Sequence, residues 1–537
     1  MDRLRLRDLA VLTACGLLAR IAAAAVVGYA PYTDPAYYTL VAERLATGHG
    51  FSVPVLWSFL EVGSRLPDPA TLPVPSNAHW MPLTSIVSAG AMLLFGPSWR
   101  SGQLPMILLS TALVPLTYLV GRELWERRSV AILAAVLAIF AGPLLIYYPT
   151  VDNFAVFGVA GAGSLYAATR AMRSGRSGLW MVASAAAAGV ATLARTDGLL
   201  LLVAPATAWL ACRGIGPWRS VGRVGFGAAL LAGVAYVAVL LPWLLRNLAV
   251  FGSPLPSVGG HVLWITSYNE QFSIGHPVGL DSYLSAGVPA IIGSKLESWF
   301  ELLGRTGVLM GGTFLFTFLA GLWIHRRDPR QAPFLVYFVV MFAVMGGVFT
   351  FHAPRGAFYH SAPAWLPFAL PMAVASIAPV CGALGRAWPF LRRPQTHRFV
   401  AVVGTVGAIV LSVVGSAAIH AEWERSHSLD AAAAGWLRGA NQSRSVVMYS
   451  DPATLALLSG NPGVAPSFDP FPVLRTIARA YDVRWLVVQL RPGETTDALN
   501  LWPGAAARDR QGNVASWLAA QPSFEVQGAL RIFAVHP

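Results

Sequence analysis

Asp34 stands in Tyr32-Thr33-Asp34-Pro35, directly after the first long apolar segment. A carboxylate there lies where a helix leaves a membrane for water, within reach of a lipid-borne substrate and a polar one. Asp152 follows in the turn Tyr147-Tyr148-Pro149-Thr150-Val151-Asp152-Asn153, where it would orient an amine or hydroxyl or assist Asp34. Each aspartate equally fits a helix N-cap, and Asp34 before Pro35 reads as a cap with proline at the first helical position. The pair in neighbouring loops is more informative than either alone. Arg195 and Arg355 offer the planar donor fork that matches phosphate, and each fits a helix-end anchor as well. Tyr359 and His360, beside Arg355, add donors. His79, in Asn77-Ala78-His79-Trp80-Met81-Pro82, suits either a phosphate contact or a packed loop histidine.

The elements that must position these groups are set by composition. The chain is 55% apolar and 12% charged, against about 25% charged in ordinary soluble proteins. Apolar segments of roughly 18–22 residues recur, enough to cross ~30 Å of hydrocarbon. Spans are expected at about 8–30, 103–121, 130–148, 154–172, 178–194, 198–212, 224–244, 306–324, 332–350, 361–382 and 399–419, about eleven in all. The stretch 81–96 is too short and reads as interfacial or re-entrant. The first segment reads as an uncleaved helix, not a signal peptide, because it is long and many spans follow.

The arginines decide the orientation. With 81–96 not crossing and the N-terminus cytoplasmic, every cytoplasmic segment is Arg-rich: Arg3, Arg5 and Arg7; Arg122, Arg127 and Arg128; Arg170, Arg173 and Arg176; Arg213, Arg219 and Arg223; Arg326, Arg327 and Arg330; and Arg386, Arg392, Arg393 and Arg398. The net charge of +13 is thus mostly topological, facing anionic lipid, and argues against a nucleic-acid partner. The opposite face then receives Asp34, Asp152, Arg195, Asp197, Arg246 and Arg355, on a first loop (31–102), a second large loop (245–305) and the intervening turns. Arg20 is the clear intramembrane charge, expected to pair with a carboxylate or to snorkel. The tail 421–537 loses the apolar runs and reads as a small α/β extracytoplasmic domain. Its strands are expected at Ser445–Tyr449, Arg484–Leu490, Phe524–Val526 and Ala529–Val535, and its helices at Pro452–Ser459 and Pro472–Tyr481. Cys15, Cys212 and Cys381 have neither disulfide nor metal-ligand spacing.

Taken in order, several patterns resemble the GT-C glycosyltransferases, specifically the branch holding aminoarabinose–lipid A transferases, protein O-mannosyltransferases and lipopolysaccharide-core transferases. Asp34-Pro35-Ala36-Tyr37-Tyr38 through Gly48-His49-Gly50-Phe51 resembles that family's first external loop with its catalytic Asp. His79-Trp80-Met81-Pro82-Leu83 resembles the start of its interfacial helix, and Tyr147 through Asp152 its second external turn. Leu193-Ala194-Arg195-Thr196-Asp197, Pro242-Trp243-Leu244-Leu245-Arg246-Asn247 and Arg355-Gly356-Ala357-Phe358-Tyr359 follow in family order. The resemblance covers residues 8–420. Three departures stand out: a single Asp34 where many relatives have an acidic pair, a histidine at 79 where Lys or Arg is frequent, and no Trp-Trp-Asp-Tyr-Gly signature of the eukaryotic oligosaccharyltransferases.

The resemblance implies a polytopic α-helical GT-C-like domain over 1–420. It implies an inner- or plasma-membrane enzyme that moves a sugar from a polyprenyl-phosphate donor to a lipid, glycan or protein acceptor at the outer face, with inversion. Asp34 would be the general base and Asp152 its support. Arg355, Arg195, Arg246, His79 and Tyr359 would hold the donor phosphate. No cofactor is demanded, while a divalent cation on Asp34 and Asp152 stays open. The rivals are a transporter or flippase of lipid-linked saccharide, which needs polar residues deep in the spans, and a non-catalytic envelope assembly protein that presents the tail.

Overall fold

Apolar runs in a bilayer fold as helices because no water is there to satisfy backbone N–H and C=O groups. The computed structural model describes residues 3–536 apart from 219, 221, 223, 257, 275–277, 441–443, 491–514, 520 and 527, so Arg219 and Arg223 lie outside the described residues. Helices α1 (Arg3–Val26) and α2 (Thr33–Ala46) lead to three short strands, β1 (Ser52–Val53), β2 (Val55–Leu56) and β3 (Val74–Pro75). Then come α3 (Leu83–Phe95), α4 (Trp99–Trp125), α5 (Arg128–Ile139), the single turn α6 (Leu144–Tyr147), α7 (Phe154–Ala171), α8 (Ser177–Ala194), α9 (Val203–Cys212) and α10 (Phe226–Phe251). Short helices α11 (Val258–His261) and α12 (Leu280–Ser285) precede α13 (Val288–Leu309), α14 (Leu315–Ile324), α15 (Ala332–Gly347), α16 (Phe358–Ala375), α17 (Ile377–Leu384) and α18 (Pro394–Gly439). The chain ends in β4 (Val446–Met448), α19 (Pro452–Ser459), β5 (Gly463–Val464), α20 (Phe471–Ala480), β6 (Val483–Gln489), β7 (Phe524–Val526) and β8 (Leu530–Ala534).

Among the described residues, six helical stretches are long and apolar enough to cross a membrane: α1, α4, α8, α10, the run 353–384 that holds α16 and α17, and α18. Shorter apolar helices, among them α5, α14 and α15, accompany them. The molecule is a mostly helical multi-pass membrane protein. Several expected spans depart from single helices. The segment 130–148 breaks after α5, where Gly142 takes φ 54° before Pro143. The segment 306–324 breaks between α13 and α14 at Gly311 (φ 61°) and Gly312 (φ 72°), and α13 reaches back to Val288, so the last third of the expected loop 245–305 is helical. The segment 198–212 opens with a 3₁₀ stretch, Thr196–Leu202. Helix α18 runs on past 419 for 46 residues in all, about 69 Å. It carries the chain directly into the β-rich unit.

Arg20 neither pairs with a carboxylate nor snorkels. It is fully buried and donates to the carbonyls of Ile139 (3.0 Å) and Ala138 (3.2 Å), with its guanidinium 4.4 Å from the Tyr148 ring centroid. The break after α5 leaves those carbonyls without helical partners, and Arg20 satisfies them.

Two packing features position the site. Helix α16 is buried along almost its whole length and lies tightly on α7. A Cβ at Gly158 would fall 2.5 Å from Pro363 Cβ, and one at Gly161 2.5 Å from Ala364 Cβ, so only glycine permits the approach. The second feature is a six-stranded sheet of order β2-β5-β4-β6-β8-β7, parallel from β2 to β6 and antiparallel beyond. Its edge strand β2 comes from the first loop. Leu56 and Phe59 of that loop share a core with Met448, Val464, Leu474 and Val483. The first loop and the C-terminal segment are therefore built together.

Candidate active site at the heads of helices α2, α7 and α16

Helix α2 starts at Thr33, with Tyr32 at its N-cap in extended backbone (φ −164°), so Asp34 falls inside the first turn. The capping role expected for Asp34 is not what the fold uses. Asp152 is likewise not a cap, because Asn153 holds the N-cap of α7. Both carboxylates face a third group, His360, in the first turn of α16. One ligand atom from each of Asp34, Asp152 and His360 lies within 4.8 Å of the others. His360 Nε2 is 3.9 Å from Asp34 Oδ2, and Nδ1 is 3.7 Å from Asp152 Oδ1.

Asn153 sets the tautomer of this histidine. Its Nδ2 donates to the Tyr38 hydroxyl at 3.0 Å, so its Oδ1 is the acceptor facing His360 Nδ1 at 2.8 Å. His360 Nδ1 then carries the proton, and in the neutral ring the Nε2 lone pair points toward Asp34. The ring is held flat on Phe154 (centroids 4.0 Å apart, 13° between planes). Asp152 accepts from the Tyr32 hydroxyl at 2.7 Å and from the Asn153 backbone N–H at 2.6 Å. A lone pair facing a carboxylate needs a proton or a cation between them, so the donor set Asp34, Asp152 and His360 fits a divalent metal ion.

Burial and repulsion from neighbouring carboxylates shift both carboxyls toward the protonated form. Burial raises Asp152 above the usual carboxylate range, and the Asp34 charge raises it further. Burial also raises Asp34, held back by the Trp80 indole N–H and the Arg195 charge, while Asp451 opposes them. Asp451 caps α19, accepting from Thr454, and brings the C-terminal unit to the edge of the site.

The sequence-predicted cations are not all gathered here. Arg195 is; it is oriented by Asp197 at 2.8 Å, and Asp197 in turn accepts from Ser361, next to His360. Arg355 is exposed, lies 4.2 Å from the Tyr268 ring centroid and makes no ion pair among the described residues. His79 is pushed down to about 3 by burial and by the His352 and Arg195 charges, so it is neutral and offers a hydrogen bond without charge. Arg246 donates to Ser76 O (2.9 Å) and Phe51 O (3.4 Å) and lies over Trp243, which commits it to the first loop. Tyr359 faces Arg305 of α13. The residues the sequence undervalued are His360, Asn153 and Tyr32. Their signal was adjacency to Tyr359, Asp152 and Asp34, which carries no weight until the three helix heads are seen to meet.

Neither a family model nor a curated protein matches the sequence. Solved structures do match in fold. The transferase ArnT from Cupriavidus metallidurans bound to undecaprenyl phosphate aligns with TM-score 0.57 at 13% identity, over 98% of this chain and 97% of that one. The apo form of the same protein gives 0.53 at 13%, with the same coverage. The archaeal oligosaccharyltransferase AglB from Archaeoglobus fulgidus, in complex with an inhibitory peptide and a dolichol-phosphate, gives 0.50 at 14%, over 91% of this chain and 69% of that one. Both proteins are GT-C superfamily membrane glycosyltransferases. Matching helices over nearly its whole length, this chain has the fold of the GT-C membrane glycosyltransferases.

Proposed function

We propose that this protein transfers a sugar from a polyprenyl-phosphate carrier to a hydroxyl or amine of a lipid, glycan or protein acceptor at the outer face of the cell membrane. The convergence of Asp34, Asp152 and His360 at the heads of three helices carries this reading. It is supported by a fold whose solved examples include structures with undecaprenyl phosphate and dolichol-phosphate. Asp34, partly exposed, accepts the proton of the acceptor as its oxygen or nitrogen attacks the anomeric carbon. The bond from that carbon to the phosphate oxygen breaks, the configuration inverts, and the phosphate leaves on its lipid. Asp152, tied to Tyr32 and Asn153, holds the acceptor and Asp34 in place. Of the donor-phosphate set expected from the sequence, Arg195 and the exposed Arg355 are proposed to supply the charge, with His79 and Tyr359 as neutral donors, while Arg246 holds the first loop beside them. Asp34, Asp152 and His360 would hold a divalent cation, which when bound supplies positive charge against the carboxylate pair.

The arginine series supports about eleven crossings with the N-terminus cytoplasmic and the unit 421–537 outside. The transporter reading loses its main support, because Arg20, its one intramembrane charge, is used to close helix α5. Asp34→Asn should lower transfer at least 100-fold, the lower range for a positioned base, while membrane insertion and melting stay unchanged. Mass spectrometry of envelope glycans from cells with the wild type, the variant and no protein reads the outcome. Wild-type glycans in the Asp34→Asn strain would sink the catalytic assignment.

A further inference from the structure

The link between α1 and α2 is held from the far end of the chain. Tyr29 donates to Glu424 of α18 at 2.9 Å and lies flat on His427, with ring centroids 3.8 Å apart and 13° between planes. Trp423, buried, packs 5.5 Å from the ring of Tyr32, whose hydroxyl reaches Asp152. The next residue, Thr33, opens α2 and donates its hydroxyl to Asp451. Asp451 belongs to the C-terminal unit, where its oxygens also accept from the Thr454 hydroxyl (2.7 Å) and the Thr454 N–H (3.2 Å). Behind this contact α19 packs along α2, with Ala453 and Ala456 in one core with Ala36, Tyr37, Leu40 and Val41. Adjacent residues of one link thus serve the two carboxylates. Tyr32 ties to Asp152, and Thr33 ties the turn that carries Asp34 to the C-terminal unit.

The plain alternative is that Asp451 only caps α19, a role its bonds to Thr454 fulfil. A cap does not account for the third bond, which leaves α19 for another helix, or for the burial of α19 against α2. We infer that Asp451 is a positioning residue for the transfer reaction: through the Thr33 hydroxyl it fixes the first turn of α2, and with it the direction in which the Asp34 carboxylate faces the acceptor. The C-terminal unit is then part of the catalytic apparatus, and without its grip Asp34 is present but unaligned. Such a contact matters because a small misplacement of a reacting group can cost about 100-fold in rate. The inference rests on the reading of Asp34 as the base.

The test compares cells that carry wild type, Thr33→Val, Thr33→Ser, Asp451→Ala or the double variant Thr33→Val with Asp451→Ala, and a strain without the protein. Mass spectrometry reads the rate at which the envelope glycan product accumulates after induction. Hydrogen exchange of the backbone amides of Ala36 to Leu40 is read on each full-length protein purified in nanodiscs. Thr33→Val keeps the shape and removes the hydroxyl. It should slow accumulation about tenfold, inside the range for a misplaced group, and speed that exchange. Asp451→Ala should do the same, the double variant should be no slower than Thr33→Val alone, and Thr33→Ser should match wild type. Wild-type behaviour of Thr33→Val in both measurements is what a mere cap requires, and it overturns the inference. So do losses that multiply in the double variant, or a Thr33→Ser as slow as Thr33→Val. Equal glycans with and without the wild-type protein overturn the transferase reading, and the role of Asp34 with it. Unchanged exchange in Thr33→Val overturns the grip on α2 whatever the glycans show.

Discussion

Asn153 fixes which nitrogen of His360 carries a proton, and through it the direction of the lone pair that faces Asp34. Partners of this kind, one step removed from the reacting groups, typically change metal affinity or activity by about 10–100-fold when lost. Asn153→Leu should therefore lower transfer by that factor while the protein still melts as one unit. An unchanged rate in the purified variant would show that the ring is held by Phe154 alone. At this scale the sequence was half legible. Asp34 and Asp152 were identifiable as carboxylates at helix heads, but whether either caps its helix was left open, and in the structure Tyr32 and Asn153 take those positions. A one-residue difference in where a helix starts separates a capping carboxylate from a free one, and local patterns do not resolve it.

At the scale of elements, the site depends on how closely α16 approaches α7. Gly158 is the point of contact, since a Cβ there would lie 2.5 Å from Pro363 Cβ, whereas Gly163 on the same helix has nothing within 4 Å. Gly158→Val should destabilise the protein by about 1–3 kcal/mol and should move His360 off Asn153. Gly163→Ala should be silent. Thermal melting in detergent compares the two directly, and equal melting points would remove the packing argument. The helical runs themselves were read from apolar length. Their breaks at Gly142 and at Gly311-Gly312 were not, because a hydropathy window averages over the residues whose backbone turns. Arg20 makes the same point, for its partners are carbonyls that exist only because α5 stops.

For the whole molecule, the joint between the first loop and the C-terminal sheet is the feature with consequences beyond the site. Glu61 is buried there. One of its oxygens, Oε1, accepts from the Ser58 N–H, and Oε2 meets no hydrogen-bond criterion with a partner among the described residues. Burial pushes its carboxyl up to about 8, partly offset by the backbone N–H groups of Ser58 and Trp57. The fold therefore favours the protonated form. That stabilisation is complete below the unfolded carboxyl value and is lost as pH rises through about 8, with a slope of up to about 1.4 kcal/mol per pH unit. Melting of the wild type should fall between pH 5 and pH 8, and Glu61→Gln should flatten that fall. Parallel melting curves in the two proteins would refute the protonated state. Because β2 is an edge strand of the C-terminal sheet and Asp451 of that unit lies near Asp34, such a change would be felt at the site.

What the sequence determined alone is what depends on composition and local order: a polytopic helical chain, arginines massed on alternate connections, two aspartates at helix heads, and short strands and helices after α18. Those follow from transfer energetics and backbone propensity, which act residue by residue. Only the tertiary structure decided that His360 would sit between Asp34 and Asp152, and that Arg246 and Arg20 would be spent on backbone carbonyls. These groups come from segments up to 326 residues apart (Asp34 to His360). Their meeting depends on glycine-mediated helix contacts and on glycine breaks that redirect the chain, which no local window contains.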